Sequence, residues 1–240
     1  GRPGEHCNTG GAGVRFTRKY ATATQGGHGF GDGAAGAIYF ETDLTVEPVG
    51  TNTVIGPNGN DANGIGASFG IFVGGSLTVS GDGALDISGG TVEASAYTES
   101  TGIYAYRVTV SAGTVTAKGG AAAATGEYGD AYSSGIYTYD AVIIEGGTVT
   151  ATGGTVNTAK KANSAGIRAY DSIVIEGGNV NAAGGEATST NETSMVYSNG
   201  IDSTGVTVTG GTVTPPGGAA TSQNAERHCI DGDGIPPRRR

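Results

Sequence analysis

The sequence predicts an all-β protein, a right-handed parallel β-helix (β-solenoid) with three strands per coil and about six coils. Three observations support this fold: a repeat of nearly constant length, alternating apolar and polar residues within the repeat, and glycine pairs at the expected corners. Gly-Ile pairs recur at intervals of 32, 33, 31 and 34 residues, and they begin at Gly70, Gly102, Gly135, Gly166 and Gly200. A period in this range is typical of architectures in which each unit packs on its neighbours.

Each repeat contains three short strand-like segments. In one copy they are Ile136–Tyr139, Val142–Glu145 and Thr148–Ala151, with corners at Asp140 and Gly146–Gly147. Successive side chains of a strand point to opposite sides, so the branched aliphatic residues of each segment fall on one face, which we expect to be the interior. This predicted interior set is Ile103, Val108, Val110, Val115, Ile136, Val142, Ile144, Val149, Ile167, Ile173, Ile175, Val180, Ile201, Val206, Val208 and Val213.

The rest of each repeat is polar and rich in small residues. We therefore predict a polar loop on one edge of the solenoid in each coil, at residues 121–134, 155–165 and 186–199. The predicted organisation is an N-terminal cap or flexible segment over 1–35, the β-helix domain over 36–215, and a C-terminal tail or linker over 216–240. A leucine-rich or helical repeat is excluded because leucine is scarce and no 3.6-residue pattern occurs.

Composition and charge narrow the classes of function. Glycine occupies 47 of 240 positions, tryptophan is absent, and the net charge is −9. Residues 20–225 hold five basic side chains against eighteen acidic ones, and such a body repels phosphate backbones, so we expect no nucleic-acid partner. No apolar run is long enough to span a membrane. The chain begins at Gly1 without Met, so we expect an excised or processed segment. We expect it to be a monomer or part of a larger surface chain.

Cysteine usage says little about the compartment. Cys7 and Cys229 are the only two cysteines, and two do not make a disulfide framework. They lie near opposite ends of the predicted rod, so an intramolecular disulfide would require one terminal segment to fold back along it.

The repeat unit resembles a group of bacterial surface proteins. It reads Gly-Ile-Tyr-x-Tyr-Asp-x-Val-x-Ile-x-Gly-Gly-Thr-Val-Thr-Ala-x-Gly-Gly, and with Ser76–Gly90 it is similar to repeat-bearing surface proteins of Gram-positive gut and cellulose-degrading bacteria. Some of these are described as carbohydrate-binding β-helix domains that use calcium and favour acidic or plant-wall polysaccharides. The likeness covers residues 36–215 and implies an extracellular or cell-surface location with a polysaccharide or host glycan as partner. It identifies no individual binding residue.

Tyrosines on the outer side of the first strand are the candidate ligand-binding residues. Stacked coils place equivalent side chains above one another, and a ladder of tyrosines offers ring surface and hydroxyl groups to sugars at low entropic cost. The alternative is that the rings only stack on each other or lie beneath the loops. The candidates are Tyr104, Tyr106, Tyr137, Tyr139 and Tyr170.

Two carboxylate ladders are the candidate metal ligands. Asp140 lies over Asp171 and Glu145 over Glu176 in the predicted stack, and like charges one coil apart repel each other. A bridging Ca²⁺ would relieve that repulsion, since calcium prefers oxygen ligands. Solvated acidity without a metal is the competing interpretation.

Catalysis is not predicted. No pair of adjacent aspartates occurs, and His6, His28 and His228 all lie outside the repeats. Arg107 and Arg168 are the only basic residues placed to serve a polysaccharide lyase. We expect a non-catalytic carbohydrate-binding or adhesive module. The alternatives are a structural stalk or spacer, and second a polysaccharide lyase.

Overall fold

The fold is a parallel β-solenoid. The structure is a computed structural model, and it describes residues 7–9, 12–18, 28–29, 34–61, 64–191, 194–221 and 224–231. Every regular element among these residues is a β-strand. No part of the described chain forms a helix, so no described helix could cross a membrane. The all-β prediction is confirmed.

The strands form one large sheet and two smaller ones. The strands of the large sheet, sheet A, are β1 (Cys7–Thr9), β2 (Ala12–Arg18), β3 (His28–Gly29), β4 (Ala34–Phe40), β5 (Leu44–Val49), β8 (Ile65–Val79), β11 (Tyr97–Val110), β14 (Asp130–Thr138), β15 (Val142–Ile144), β18 (Lys161–Ile175), β21 (Met195–Val208) and β24 (Asn224–Asp231). Those of sheet B are β6 (Thr51–Ile55), β9 (Ala84–Ser88), β12 (Thr114–Lys118), β16 (Thr148–Thr152), β19 (Asn179–Ala183) and β22 (Thr212–Thr214). Sheet C contains β7 (Gly59–Asp61), β10 (Val92–Ala94), β13 (Ala122–Ala124), β17 (Val156–Thr158), β20 (Ala187–Ser189) and β23 (Ala220–Thr221).

One coil therefore consists of a long strand of sheet A, a strand of sheet B and a short strand of sheet C. Each strand pairs in parallel with its equivalents in the coils above and below; for example, Ile103 is level with Ile71 and Ile136. Sheets B and C each contain six strands, so five turns separate the first strand from the last. In β11, β18 and β21, two of the strands that we predicted for a coil belong to one continuous strand, whereas in the copy with Ile136 they are the separate strands β14 and β15.

The predicted polar loops do not exist as loops. Residues 121–134, 155–165 and 186–199 each supply a strand of sheet C and the first half of the next sheet A strand. Their alanines and valines form a second buried cluster, made of Ala122, Ala124, Ala131, Val156, Ala162, Ala187 and Val196. The loop prediction is wrong because alanine and serine give too little hydrophobic contrast for alternation to be visible in the sequence.

The larger hydrophobic cluster lies between sheet B and the second half of the sheet A strands. The predicted interior residues are buried in it from the third coil to the fifth; Ile136, Val142, Ile144 and Val149, for example, are fully buried. The last coil differs, since Val208 is 49 % exposed and Val206 and Val213 are only partly buried. Within the described residues, β24 pairs only with residues 195–202 of β21, so no strand covers Val206 and Val208 from below.

Glycine separates the two clusters. A β-carbon on Gly102 would lie 2.7 Å from the carbonyl oxygen of Gly135 and 2.8 Å from the backbone nitrogen of Lys118, at the end of sheet B. The backbone of sheet A therefore bends inward until it touches the corner between sheets B and C. On the outer face, side chains that precede the bend come close to side chains that follow it. The rings of Phe69, before the bend, and Tyr104, after it in the next coil, are 4.8 Å apart. The outer face of sheet A is therefore concave along this line.

A ladder of buried serines holds the bend in place. Ser133 Oγ donates a hydrogen bond to the carbonyl oxygen of Gly120 (2.8 Å) and accepts one from the nitrogen of Gly154 (2.9 Å). Equivalent bonds are made by Ser68, Ser100, Ser164 and Ser198. Each serine thus satisfies two backbone groups that the corner would otherwise bury without partners.

The two cysteines belong to opposite ends of sheet A. Cys7 lies in β1 and Cys229 in β24, and seven strands separate these two in the order of the sheet. At about 4.8 Å per strand, this distance is several times the span of a disulfide. An intramolecular disulfide is therefore incompatible with the fold.

Candidate functional site

An aromatic column fills the concave face of sheet A. Tyr39, Phe72, Tyr104 and Tyr137 occupy equivalent positions in four successive coils. Their ring centroids are 5.2, 4.8 and 4.9 Å apart, with interplanar angles of 17°, 15° and 22°. Tyr137 is only 8 % exposed. The predicted stacking of Tyr104 over Tyr137 is present, but their ring faces are largely used in contacts with each other.

Three further tyrosines stand two residues after the column position in successive coils and form what we call the tyrosine platform: Tyr106, Tyr139 and Tyr170. They are 51 %, 52 % and 53 % exposed, respectively. The rings of Tyr139 and Tyr170 are parallel within 5°, with centroids 5.9 Å apart. Parallel rings at that distance are strongly offset and overlap little, so much of their surface faces solvent.

The column supports the platform through ring edges and a hydrogen bond. Tyr139 packs edge-on against Tyr104 and Tyr137, at centroid distances of 5.7 and 5.4 Å. The hydroxyl of Tyr104 donates a hydrogen bond to the hydroxyl of Tyr139 (2.7 Å). Of the five tyrosines predicted to bind ligand, Tyr104 and Tyr137 thus form a support of stacked rings, and Tyr106, Tyr139 and Tyr170 form an accessible surface.

Arg168 continues the aromatic column in the fifth coil. It occupies the position equivalent to Tyr137, and its guanidinium carbon lies 5.4 to 5.7 Å from the rings of Tyr132, Tyr137 and Tyr170. Arg168 Nε is 3.5 Å from the carboxylate of Asp202 in the sixth coil. Cation–π contacts and this ion pair together fix the side chain.

Glu99 is a buried carboxyl group on the outer face of sheet A, and no sequence pattern predicts its environment. It is 8 % exposed, and its oxygens accept hydrogen bonds from the hydroxyls of Tyr97 (2.8 Å) and Thr101 (3.3 Å). Burial raises the pKa of Glu99, while these hydrogen bonds and nearby Arg168 partly oppose the shift. Equivalent positions in other coils carry Ala67, Tyr132 and Asn163, so no periodic pattern marks this residue.

The tyrosines beside Glu99 hold their protons firmly. Burial raises the pKa of Tyr97, Tyr104 and Tyr137, and the charge of Glu99 raises each of them further. These phenols are therefore hydrogen-bond donors and acceptors across the physiological range, and the phenolate form that a catalytic base requires is disfavoured.

The predicted carboxylate ladders are stacked in adjacent coils. The backbone nitrogen of Asp171 is 3.4 Å from the carbonyl oxygen of Asp140, and Glu145 and Glu176 follow equivalent strands and are exposed. Asp140 is paired with Arg107 of the preceding coil, whose Nε lies 2.8 Å from Oδ2. In the part of the chain that the structure describes, no three His, Cys, Asp or Glu side chains are grouped to hold a metal ion.

Comparisons with known proteins add no identity to this site. No protein-family model, no curated protein and no solved structure matches the chain. The fold and the geometry of the platform are therefore the basis for any statement about function.

Proposed function

We propose that this protein is a non-catalytic, extracellular carbohydrate-binding or adhesive module of a bacterial surface, and that its ligand lies on the tyrosine platform. The observation that carries the proposal is the presence of three half-exposed tyrosines in successive coils, two of which, Tyr139 and Tyr170, pack edge-on against the aromatic column. Sugar rings offer C–H groups to an aromatic face and hydroxyls to a phenol. Tyrosine presents both at low cost in side-chain entropy.

The orientation of the platform suits a polymer. Equivalent positions repeat along the solenoid axis at about 4.8 Å, so the three tyrosines form a line across coils. A polysaccharide lying along this line would contact several rings at once, and the contacts would add without a deep pocket. The column holds the rings of Tyr139 and Tyr170 before the ligand arrives. This reduces the entropy lost on binding.

Removal of the two parallel platform rings tests the proposal. The double variant Tyr139→Ala/Tyr170→Ala should weaken retention by soluble polysaccharides in affinity electrophoresis at least tenfold, because aromatic contacts dominate such surfaces. Tyr137 is a poor choice for this test, since it is buried and its truncation would leave a cavity.

Tyr128→Ala is the matched control. Tyr128 is 76 % exposed and lies in the turn between sheets C and A, so its loss should change neither retention nor the β-sheet circular dichroism. Equal retention of the double variant and the wild type would reject the platform as the binding surface.

A structural stalk or spacer is the second candidate, and the extensive ring–ring stacking favours it. Aromatic ladders stabilise adjacent strands even when no ligand exists. A glycan screen with and without Ca²⁺ separates the two functions: a binding module retains a chemically coherent set of glycans, whereas a stalk retains none. Dependence on Ca²⁺ in that screen would support a calcium site but would not locate it, and substitution of Asp171 and of Glu176 would then test the two carboxylate ladders separately.

A further inference from the structure

Charged residues follow each tyrosine of the platform, and their signs do not balance. The three consecutive pairs are Tyr106-Arg107, Tyr139-Asp140 and Tyr170-Asp171. Arg107 forms an ion pair with Asp140 of the next coil. Asp171 is exposed and its carboxylate accepts only a long hydrogen bond, 3.4 Å, from Ser172. Among the described residues, no basic side chain pairs with Asp171. The three charged residues that follow the platform tyrosines are therefore one cation and two anions.

The surrounding charges do not supply the missing cation. Arg168 lies under the platform, but it is paired with Asp202 and enclosed by rings. Lys160 and Lys161 belong to the other side of the concave face, where Lys160 lies 3.8 Å from Asp130 and Lys161 lies over the Tyr132 ring. The platform thus combines exposed tyrosine surface with an excess of negative charge, and both attract an organic cation.

From this juxtaposition we infer that the platform binds a cationic glycan, with a protonated amino group of the sugar seated between the Asp171 carboxylate and the rings of Tyr139 and Tyr170. The inference rests on the proposed function and specifies its ligand class. It departs from the acidic polysaccharides that the sequence resemblance implies. A uronate would meet an unpaired aspartate, and both nearby guanidinium groups already have carboxylate partners.

An ammonium group fits this position better than Ca²⁺. Calcium takes six to eight oxygen ligands, and among the described residues no third carboxylate joins Asp140 and Asp171, of which Asp140 is already neutralised by Arg107. Aromatic faces provide no ligand to a hard metal ion, but they do attract an ammonium group through their quadrupole.

Binding of three soluble oligosaccharides of equal length tests the inference. They are β-linked oligomers of glucosamine, of N-acetylglucosamine and of galacturonate, measured by calorimetry at about pH 6, where amino groups are protonated. Wild-type protein should prefer the glucosamine oligomer. Asp171→Asn should weaken binding of that oligomer about fivefold and leave the N-acetylated oligomer unchanged, since only an exposed ion pair is lost.

Glu176→Gln is the matched control, because it removes an exposed carboxylate that lies outside the platform, and it should change nothing. Four results would each overturn the inference: a preference for galacturonate, a requirement for Ca²⁺, an unchanged affinity in Asp171→Asn, or equally tight binding of a lysine oligomer. Loss of all binding in Tyr139→Ala/Tyr170→Ala combined with no effect of Asp171→Asn would retain the carbohydrate-binding function and reject the cationic ligand. Failure of the wild type to bind any oligomer would reject both.

Discussion

At the scale of single residues, Glu99 is an exception to the rule that charged side chains of this solenoid are at least partly exposed to solvent. The outer face of a solenoid normally carries side chains in contact with water, yet this carboxyl group is buried, and its charge would add to the effect of burial in raising the pKa of Tyr97, Tyr104, Tyr132 and Tyr137. A buried carboxyl group is tolerated when its hydrogen bonds are satisfied and its proton is retained. Glu99 meets the first condition through Tyr97 and Thr101.

Glu99→Gln should stabilise the protein at higher pH. A glutamate whose folded-state pKa is raised contributes stability that is complete below the ordinary value and is lost as pH rises through the raised value. Glutamine keeps an acceptor for the hydroxyl groups and never ionises. We expect similar melting temperatures for variant and wild type in acid, and a growing advantage of the variant as pH increases.

Thermal unfolding followed by circular dichroism over a pH series measures this difference, and the exposed Glu145→Gln serves as the control. A Glu99→Gln variant that is less stable than the wild type at every pH would mean that Glu99 is ionised and that its attraction to Arg168 outweighs its burial.

Single-residue environments were predictable only where the repeat carries a hydrophobic signal. The isoleucines of the Gly-Ile pairs fall inside, as alternation predicts, because a branched aliphatic residue has one favourable side. The buried serines carry their own signal, since Ser68, Ser100, Ser133, Ser164 and Ser198 each stand two residues before a Gly-Ile pair. That pattern was visible, but serine is so common on surfaces that its period alone did not indicate burial.

At the scale of elements, the fold depends on where the sheet A strands bend. Their first halves pack on sheet C and their second halves on sheet B, as the two separate clusters show. The sequence predicted sheet B and the second halves, where valine and isoleucine alternate with threonine. It did not predict sheet C, whose strands are only two or three residues long and rich in alanine, so neither length nor period distinguishes them from loops.

The bend also explains the glycine of each Gly-Ile pair. Gly102→Ala should destabilise the protein by about 3 kcal/mol, because the new methyl group would meet backbone atoms of Gly135 and Lys118 that cannot rotate away. Denaturant unfolding measures the loss. By contrast, the corner glycine Gly147 is required for its dihedral angle, with φ of 76°.

Gly205→Ala provides the comparison for this substitution. A β-carbon there would meet nothing within 4 Å, so the free energy of unfolding should change by less than about 0.5 kcal/mol. Equal effects of the two substitutions would mean that sheet A does not approach the end of sheet B as closely as described.

At the scale of the whole molecule, each coil depends mainly on its two neighbours. All sheet B and sheet C pairs join strands one coil apart, so stability should be a sum of local contributions. Where no described strand of a further coil covers an interior side chain, that side chain is more exposed, as for Val208 in the last coil. The opposite end is covered differently, by β2, which pairs antiparallel with β5.

Deletion of one complete coil should therefore leave a folded protein. Removal of residues 103–135 joins Gly102 to Ile136, and it places Ile136, Val142 and Val149 over Ile71, Leu77 and Leu85, the partners that the deleted coil had. The chain should retain its β circular dichroism per residue and melt cooperatively, at a temperature lowered by about 10 °C or less.

We expect the chain to tolerate this deletion because the remaining strands stay in register, and not because few residues are removed. A shorter deletion that breaks the register tests this explanation. Removal of residues 103–118 takes away fewer residues, but it joins Gly102 to Gly119 and leaves that coil without its sheet B strand. Leu85 and Val149 would then face a gap in the larger cluster, and the interior isoleucine ladder would be interrupted at Ile103. We expect the shorter deletion to unfold the neighbouring coils or to aggregate. If both deletions behaved alike in melting and in circular dichroism, stacking in register could not be what holds the solenoid together.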